Sequence, residues 1–117
     1  MQTNTQAEIF YPQSGSIDGW RNTSDISRFK GRYVRFGNIV IIEATWAGSA
    51  SNTTTICTLP AELRPRSTIG SGGSGIITIS GTTTKAEYTL NTDGTIKQAE
   101  SVAAGQSGMF TFVYSLA

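Results

Sequence analysis

The sequence predicts an all-β protein, an antiparallel, jelly-roll-like β-sandwich of about eight strands, and three observations predict it. Thirteen glycines and abundant Ser and Thr stand beside few Glu, Lys or Leu, a composition that suits short strands and tight turns and disfavours long helices. Apolar residues recur at every second position in several segments, most plainly Phe110, Phe112, Tyr114 and Leu116. The run Ile56-Cys-Thr-Leu-Pro-Ala-Glu-Leu-Arg-Pro65 carries two prolines, each fixing its own φ, lacking a donor and extending the residue before it. Leu59 and Arg64 should therefore be extended, neither Pro60 nor Pro65 can lie inside a ladder, and the segment reads as a rigid corner between strands. A chain of 117 residues makes one domain with a real core.

Residues 1–15 are polar apart from Ile9-Phe10-Tyr11, which Pro12 stops, and read as a linker with a short edge segment or as the junction to an upstream stalk, leaving residues 16–117 for the sandwich. Ser16 to Asn22 is expected as a short strand carrying Ile17 and Trp20, and the polar run Thr23 to Lys30 as a loop. The clearest element follows: Arg32 to Phe36, then Gly37-Asn38, then Ile39 to Trp46. Gly-Asn between two apolar runs signals a two-residue hairpin, with Gly supplying the positive φ of a type II′ turn. That turn sets Phe36 opposite Ile39, Val34 opposite Ile41 and Arg32 opposite Glu43 on one side, with Arg35 opposite Val40 and Tyr33 opposite Ile42 on the other. Ile39-Val40-Ile41-Ile42 is apolar on both faces, so each face needs a cover. One cover is the core of the domain; the other is a partner subunit or a terminal segment or long loop of the same chain.

Ala47 to Thr55 reads as a loop before the proline corner, and Arg66 to Gly75, with Ser71-Gly-Gly-Ser-Gly at its centre, as a mobile loop. Gly75 to Ser80 is expected as a strand with Ile77 and Ile79 buried, and Lys85 to Leu90 as another with Ala86, Tyr88 and Leu90 inward. Asn91-Thr92-Asp93-Gly94 is a turn, Thr95 to Glu100 returns antiparallel, and Ala103 to Gly108 is a loop. Met109 to Leu116, with aromatics at period two, is a central core strand.

The chemistry open to this chain is narrow. It has no histidine and one cysteine, which removes His-based triads, Cys-His catalysis and His- or thiolate-ligated metals, and no metal or other cofactor is expected. Cys57 reads as a buried structural thiol. Gly70-Ser-Gly-Gly-Ser-Gly75 lacks the Lys-Ser/Thr of a phosphate-binding loop. Paired-carboxylate glycoside hydrolysis is the one enzyme class left, yet Glu43 is expected to pair with Arg32, Glu87 sits on a solvated face and Asp93 in a turn. A non-enzymatic role follows.

Nine basic against eight acidic residues argue against nucleic acid, and no apolar run reaches spanning length, so membrane insertion is not expected. The charge is uneven, however: Arg21, Arg28, Lys30, Arg32 and Arg35 face only Asp25 between positions 21 and 35, a local net of +4. That stretch is either a solvated, salt-bridged surface or a site for phosphate or carboxylate groups on a glycan. Sugar sites on sandwiches combine an exposed aromatic with polar and charged side chains. Trp20 beside Asp18, Arg21 and Asn22, with Arg28 near, is the candidate set; the alternative for Trp20 is a core tryptophan closing one end of the sandwich. Met1 is followed by polar residues rather than a signal peptide, which suits a chain made in a cytoplasm and released by lysis, and suits a cytosolic protein or a piece cut from a longer chain equally.

Phe36-Gly-Asn-Ile-Val40, the Leu59-Pro60 and Arg64-Pro65 corner, Thr92-Asp-Gly-Thr95 and the closing Phe110-Thr-Phe-Val-Tyr114 together resemble the carboxy-terminal domains of bacteriophage tail fibres and baseplate receptor-binding proteins. The resemblance covers roughly residues 30–117, and the Ser/Gly tract after Pro65 departs from it. It implies a homotrimer at a virion tip that binds a bacterial cell-wall or capsular saccharide and meets other phage tail proteins through its N-terminal side. A trimer would use Val34, Phe36, Ile39 and Ile41, or the opposite face of the hairpin. The alternatives are a purely structural baseplate or head-fibre module and a small glycan-cleaving tip.

Overall fold

The computed structural model describes residues 13–24, 26–48, 53–79, 82–102 and 105–117. Through them run eight strands, β1 (Gln13–Ser16), β2 (Ile26–Phe36), β3 (Ile39–Gly48), β4 (Thr53–Thr58), β5 (Ile69–Ile79), β6 (Thr82–Leu90), β7 (Thr95–Val102) and β8 (Gln106–Ser115). Two 3-10 turns, Asp18–Trp20 and Ala61–Leu63, are the helical pieces among these residues. The strands pair antiparallel in the order β1-β2-β3-β8-β5-β6-β7-β4. The expected all-β antiparallel fold is therefore what the chain forms. Strands β4 to β7 make a Greek key, the unit that a jelly roll uses twice, and β8 joins it to the β1-β2-β3 ribbon.

The two ends of this strand order are drawn together. Arg21, just after β1, bridges Cys57 of β4; the Asn22 N–H donates to the Ile56 carbonyl at 3.0 Å and its Nδ2 to the Thr55 carbonyl at 3.1 Å. The sheet thereby folds over as a sandwich around one core. Val40, Ile42, Ala44 and Trp46 of β3, Tyr88 and Leu90 of β6, Ile96 of β7 and Phe110, Phe112 and Tyr114 of β8 fill it, together with the equally buried Ile17, Ile26, Phe29, Ile56, Cys57, Leu59 and Leu63. Phe110 packs against Phe29, Tyr88 and Phe112 at centroid distances of 6.4, 5.2 and 5.8 Å. Trp46 Nε1 donates to the Tyr88 hydroxyl at 3.0 Å, so the one polar atom of a buried indole is satisfied. Gly108 makes this possible, since a Cβ there would lie 2.6 Å from both Trp46 and Tyr88 Oη.

The hairpin forms in the expected register, with Gly37 at φ +60°. In the proline corner Arg64 is extended as expected and neither proline lies in a strand; Pro60 is extended too, and Leu63 and Pro65 are buried. It docks on the turn between β6 and β7. The Leu59 N–H donates to the Gly94 carbonyl at 2.8 Å, Arg64 Nε closes the corner on the Leu59 carbonyl at 3.0 Å, and the Tyr114 hydroxyl donates to the Leu63 carbonyl. Gly94 is buried at φ +88° and a Cβ there would sit 2.6 Å from the Leu59 carbonyl oxygen, so two motifs distant in sequence require this glycine.

Several boundaries differ from the sequence reading. The first strand is Gln13–Ser16, pairing with β2, and the expected strand Ser16–Asn22 is replaced by a 3-10 turn at Asp18–Trp20; the folded body thus starts earlier than residue 16. Ile26–Lys30, expected as loop, continues β2 through a register shift between Ile26 and Arg28. Thr53–Thr58 is a strand, and the Ser/Gly tract belongs to β5 rather than to a mobile loop. Gly73 to Gly75 pair with β6, and Ser74 and Gly75 with β8 as well, so ladder pairing holds that end of the tract. Strand β8 starts at Gln106, inside the expected Ala103–Gly108 loop. The cluster Ile9-Phe10-Tyr11 and the expected burial of Ile77 and Ile79 lie outside the described residues and side chains.

Candidate functional site

The proposed ligand set divides on folding. Asp18 accepts the Gly31 N–H at 2.9 Å, and this backbone bond holds its carboxyl below the usual carboxylate range. Arg21 donates from Nη1 to the Ser27 carbonyl at 2.9 Å, and Asn22 is tied to β4. These three secure the strand β1 to β2 connection. Ile17 seats against Gly31, where any Cβ would come within 2.7 Å of its Cγ1, and donates its N–H to the Gly31 carbonyl. Trp20 is half-buried and stacks on Tyr33, centroids 5.6 Å apart and planes 25° apart, with both rings packed against the core. One face of the indole is thus covered by a tyrosine. Arg28 alone of the five lies on a different surface, the outer face of β2.

That outer face is a grid set by the ladder. From Arg28 onward the even positions of β2, with the odd positions of β3 and β8, point away from the core, and pairing aligns them in rows. From the hairpin end the rows are Phe36, Ile39 and Ser115; Val34, Ile41 and Val113; Arg32, Glu43 and Thr111; Lys30, Thr45 and Met109; Arg28, Ala47 and Ser107. Apart from Ser115 the first two rows are apolar, and no described residue covers them. Phe36 is 38% exposed, Ile39 36% and Val113 64%, with Val34 and Ile41 half-buried. The trimer residues expected from the sequence therefore share one outward patch, and the opposite hairpin face, with Val40 and Ile42, is the core.

Below that patch the surface is hollowed. Two adjoining depressions of about 420 and 400 Å³ share Lys30, Thr45 and Met109 and form one groove, running from Arg28 and Ser107 at one end to Arg32, Glu43 and Thr111 at the other. Arg32 Nε pairs with Glu43 in the exposed middle of the face. Arg28 and Lys30 make no ion pair among the described residues; Lys30 senses the charge of Asp18, which is turned to the Gly31 N–H. The groove therefore offers three cations against one carboxylate, with hydroxyls from Thr45, Ser107 and Thr111 and an exposed apolar strip from Met109. The cations are visible in the sequence as a run, but the groove is not, because its other wall comes from β8.

Elsewhere the titratable groups are structural. Burial pushes the Cys57 thiol up, so it stays protonated and inert. Burial likewise raises the Tyr88 phenol to about 12, the Trp46 bond acting in the opposite sense. No cluster of metal-ligating residues occurs among the described residues, and none of their helices is long and apolar enough to cross a membrane. Fold and surface together define an all-β antiparallel sandwich with an apolar patch and a cation-lined groove on one outer face. No protein-family model matches the chain, and no curated protein matches it.

Proposed function

We propose that this chain is the receptor-binding tip domain of a bacteriophage tail fibre or baseplate, a non-enzymatic homotrimer that adheres to a bacterial cell-wall or capsular saccharide as part of the virion. The observation that carries the reading is the uncovered apolar patch of Phe36, Ile39 and Val113 flanked by Val34 and Ile41. A contiguous apolar patch rimmed by polar residues on a small domain marks an association surface. The same hairpin carries the Gly37-Asn38 motif that resembles the phage domains, and those motifs supply the assembly and the setting. The adjoining groove, walled by arginine, lysine and hydroxyl groups, has the chemistry to hold sugar hydroxyls.

Mass in solution tests the assembly. The native chain is expected as a trimer and Ile41→Asp, which places a charge at the centre of the patch, as a monomer or an aggregate. A well-folded trimer carrying Asp at that position would remove the interface. Binding of the labelled protein to whole bacterial cells tests the adhesive role. A trimer that binds phage tail proteins but no cell or wall glycan would instead be a structural virion module, and release of reducing sugar would make it an enzyme.

A further inference from the structure

We infer that the groove on the outer face of β2, β3 and β8 is a binding site for an anionic saccharide polymer, one whose repeat carries oxyanion groups. The inference rests on the adhesive reading above and narrows its ligand class. Arg28, Lys30 and Arg32 occupy successive outward positions of one strand. Their Cα atoms are therefore about 7 Å apart along a nearly straight line, since a strand rises about 3.3 Å per residue. Such a row matches a linear polymer with repeated negative groups better than it matches a single compact anion, for which cations converge on one point.

The other wall selects the polymer. Thr45, Ser107 and Thr111 present hydroxyls and Met109 an exposed apolar strip, a mixture that suits the polar rim and apolar face of a sugar ring. Single-stranded nucleic acid needs aromatic platforms on which bases stack. The groove has none: Trp46 touches one end, but its ring is buried and its Nε1 is held by Tyr88. Glu43 is the one acid in the groove and neutralises Arg32, so Arg28 and Lys30 carry the uncompensated charge.

Polygalacturonate, its fully methyl-esterified form and a single-stranded DNA oligomer are suitable probes, titrated against the full chain at low salt. The native protein should bind polygalacturonate, lose affinity as salt rises from about 50 to about 200 mM, and bind the uncharged ester at least ~10-fold more weakly. Arg28→Gln with Lys30→Gln should weaken polygalacturonate binding ~10-fold or more, whereas Lys85→Gln, an exposed cation of β6 outside the groove, should leave it within about 2-fold. Glu43→Gln should strengthen it a few-fold. No binding of polygalacturonate, equal affinity for the ester, no effect of the double variant, or tighter binding of the DNA would overturn the assignment. Whole-cell adhesion that persists in the double variant would overturn the groove while leaving the adhesive role standing; charge-dependent groove binding by a protein that ignores cells would do the reverse.

Discussion

Replacing Gly94 by Ala isolates the joint between the proline corner and the β6–β7 turn. Gly94 sits at φ +88°, and the added Cβ would meet the Leu59 carbonyl oxygen at 2.6 Å and Arg64 Nε at 2.7 Å. An L-residue in that backbone region costs about 1–2 kcal/mol. The arginine can swing away, at the expense of its bond to the Leu59 carbonyl, but a backbone oxygen cannot move without disturbing the Leu59 N–H to Gly94 carbonyl bond as well. Two hydrogen bonds at about 1 kcal/mol each bring the expected loss to about 3–4 kcal/mol. Gly37→Ala supplies the comparison: its φ is +60°, yet nothing lies within 4 Å of the new Cβ, so backbone strain alone, about 1–2 kcal/mol, applies. Urea unfolding followed by tryptophan fluorescence at fixed protein concentration reads both. At a slope of about 1.5 kcal/mol per M, Gly94→Ala should lower the midpoint by about 2–3 M and Gly37→Ala by about 1 M. Equal shifts would show that the corner does not press on this turn, and the account of the joint would fail.

Tyr88→Phe removes the acceptor of the buried Trp46 Nε1–H while keeping the ring against Phe110; the unpaired donor should cost about 1–3 kcal/mol, and a change below about 0.3 kcal/mol in the same unfolding assay would mean that water replaces the hydroxyl. Asp18 and Asp93 titrate below their ordinary range, Asp18 chiefly through the Gly31 N–H and Asp93 chiefly through the Thr95 hydroxyl and N–H. A carboxylate with a depressed folded-state pKa adds stability above its unfolded value, and that stability is lost as pH falls through the folded one. The unfolding midpoint should therefore hold from neutrality down to about pH 5 and decline below about pH 4. Asp18→Asn with Asp93→Asn should flatten that decline, and an unchanged acid limb would place the linkage in other carboxylates.

Legibility followed how local the determinant was. The hairpin register could be read because Gly37-Asn38 and the alternation around it specify the same pairing, and β8 because its aromatics stand at period two. Strand β4 was hidden because its first residues are Thr53, Thr54 and Thr55, with no apolar alternation until Ile56. Strand β5 was legible from Gly75 onward, and only its start was hidden, because Gly70 to Ser74 carries no apolar alternation and is held by backbone pairing with β6 at Ile69, Gly73 and Ser74. Asp18, Arg21 and Asn22 looked like ligand groups because polar side chains beside a tryptophan do; only the fold reveals that backbone amides and carbonyls engage them. Arg28, Lys30 and Arg32 at every second position were already a strand signature, which the polar residues before them masked. Ser107, Met109 and Thr111 could not have been joined to them without the β3–β8 pairing.

The place of β8 also decides how this chain must fold. It is the sole strand linking the β1-β2-β3 ribbon to the Greek key, and it does so by pairing Val40 with Tyr114 and Gly75 with Phe110. The hairpins on either side involve near neighbours in the chain and can form early, but neither half has a core until the strand carrying Phe110, Phe112 and Tyr114 slots between them. Closing loops of that length comes before any reward from the contacts, which makes the final insertion the slow step. Until then each half leaves an unpaired strand edge open, the condition under which β-rich chains pair with the wrong partner.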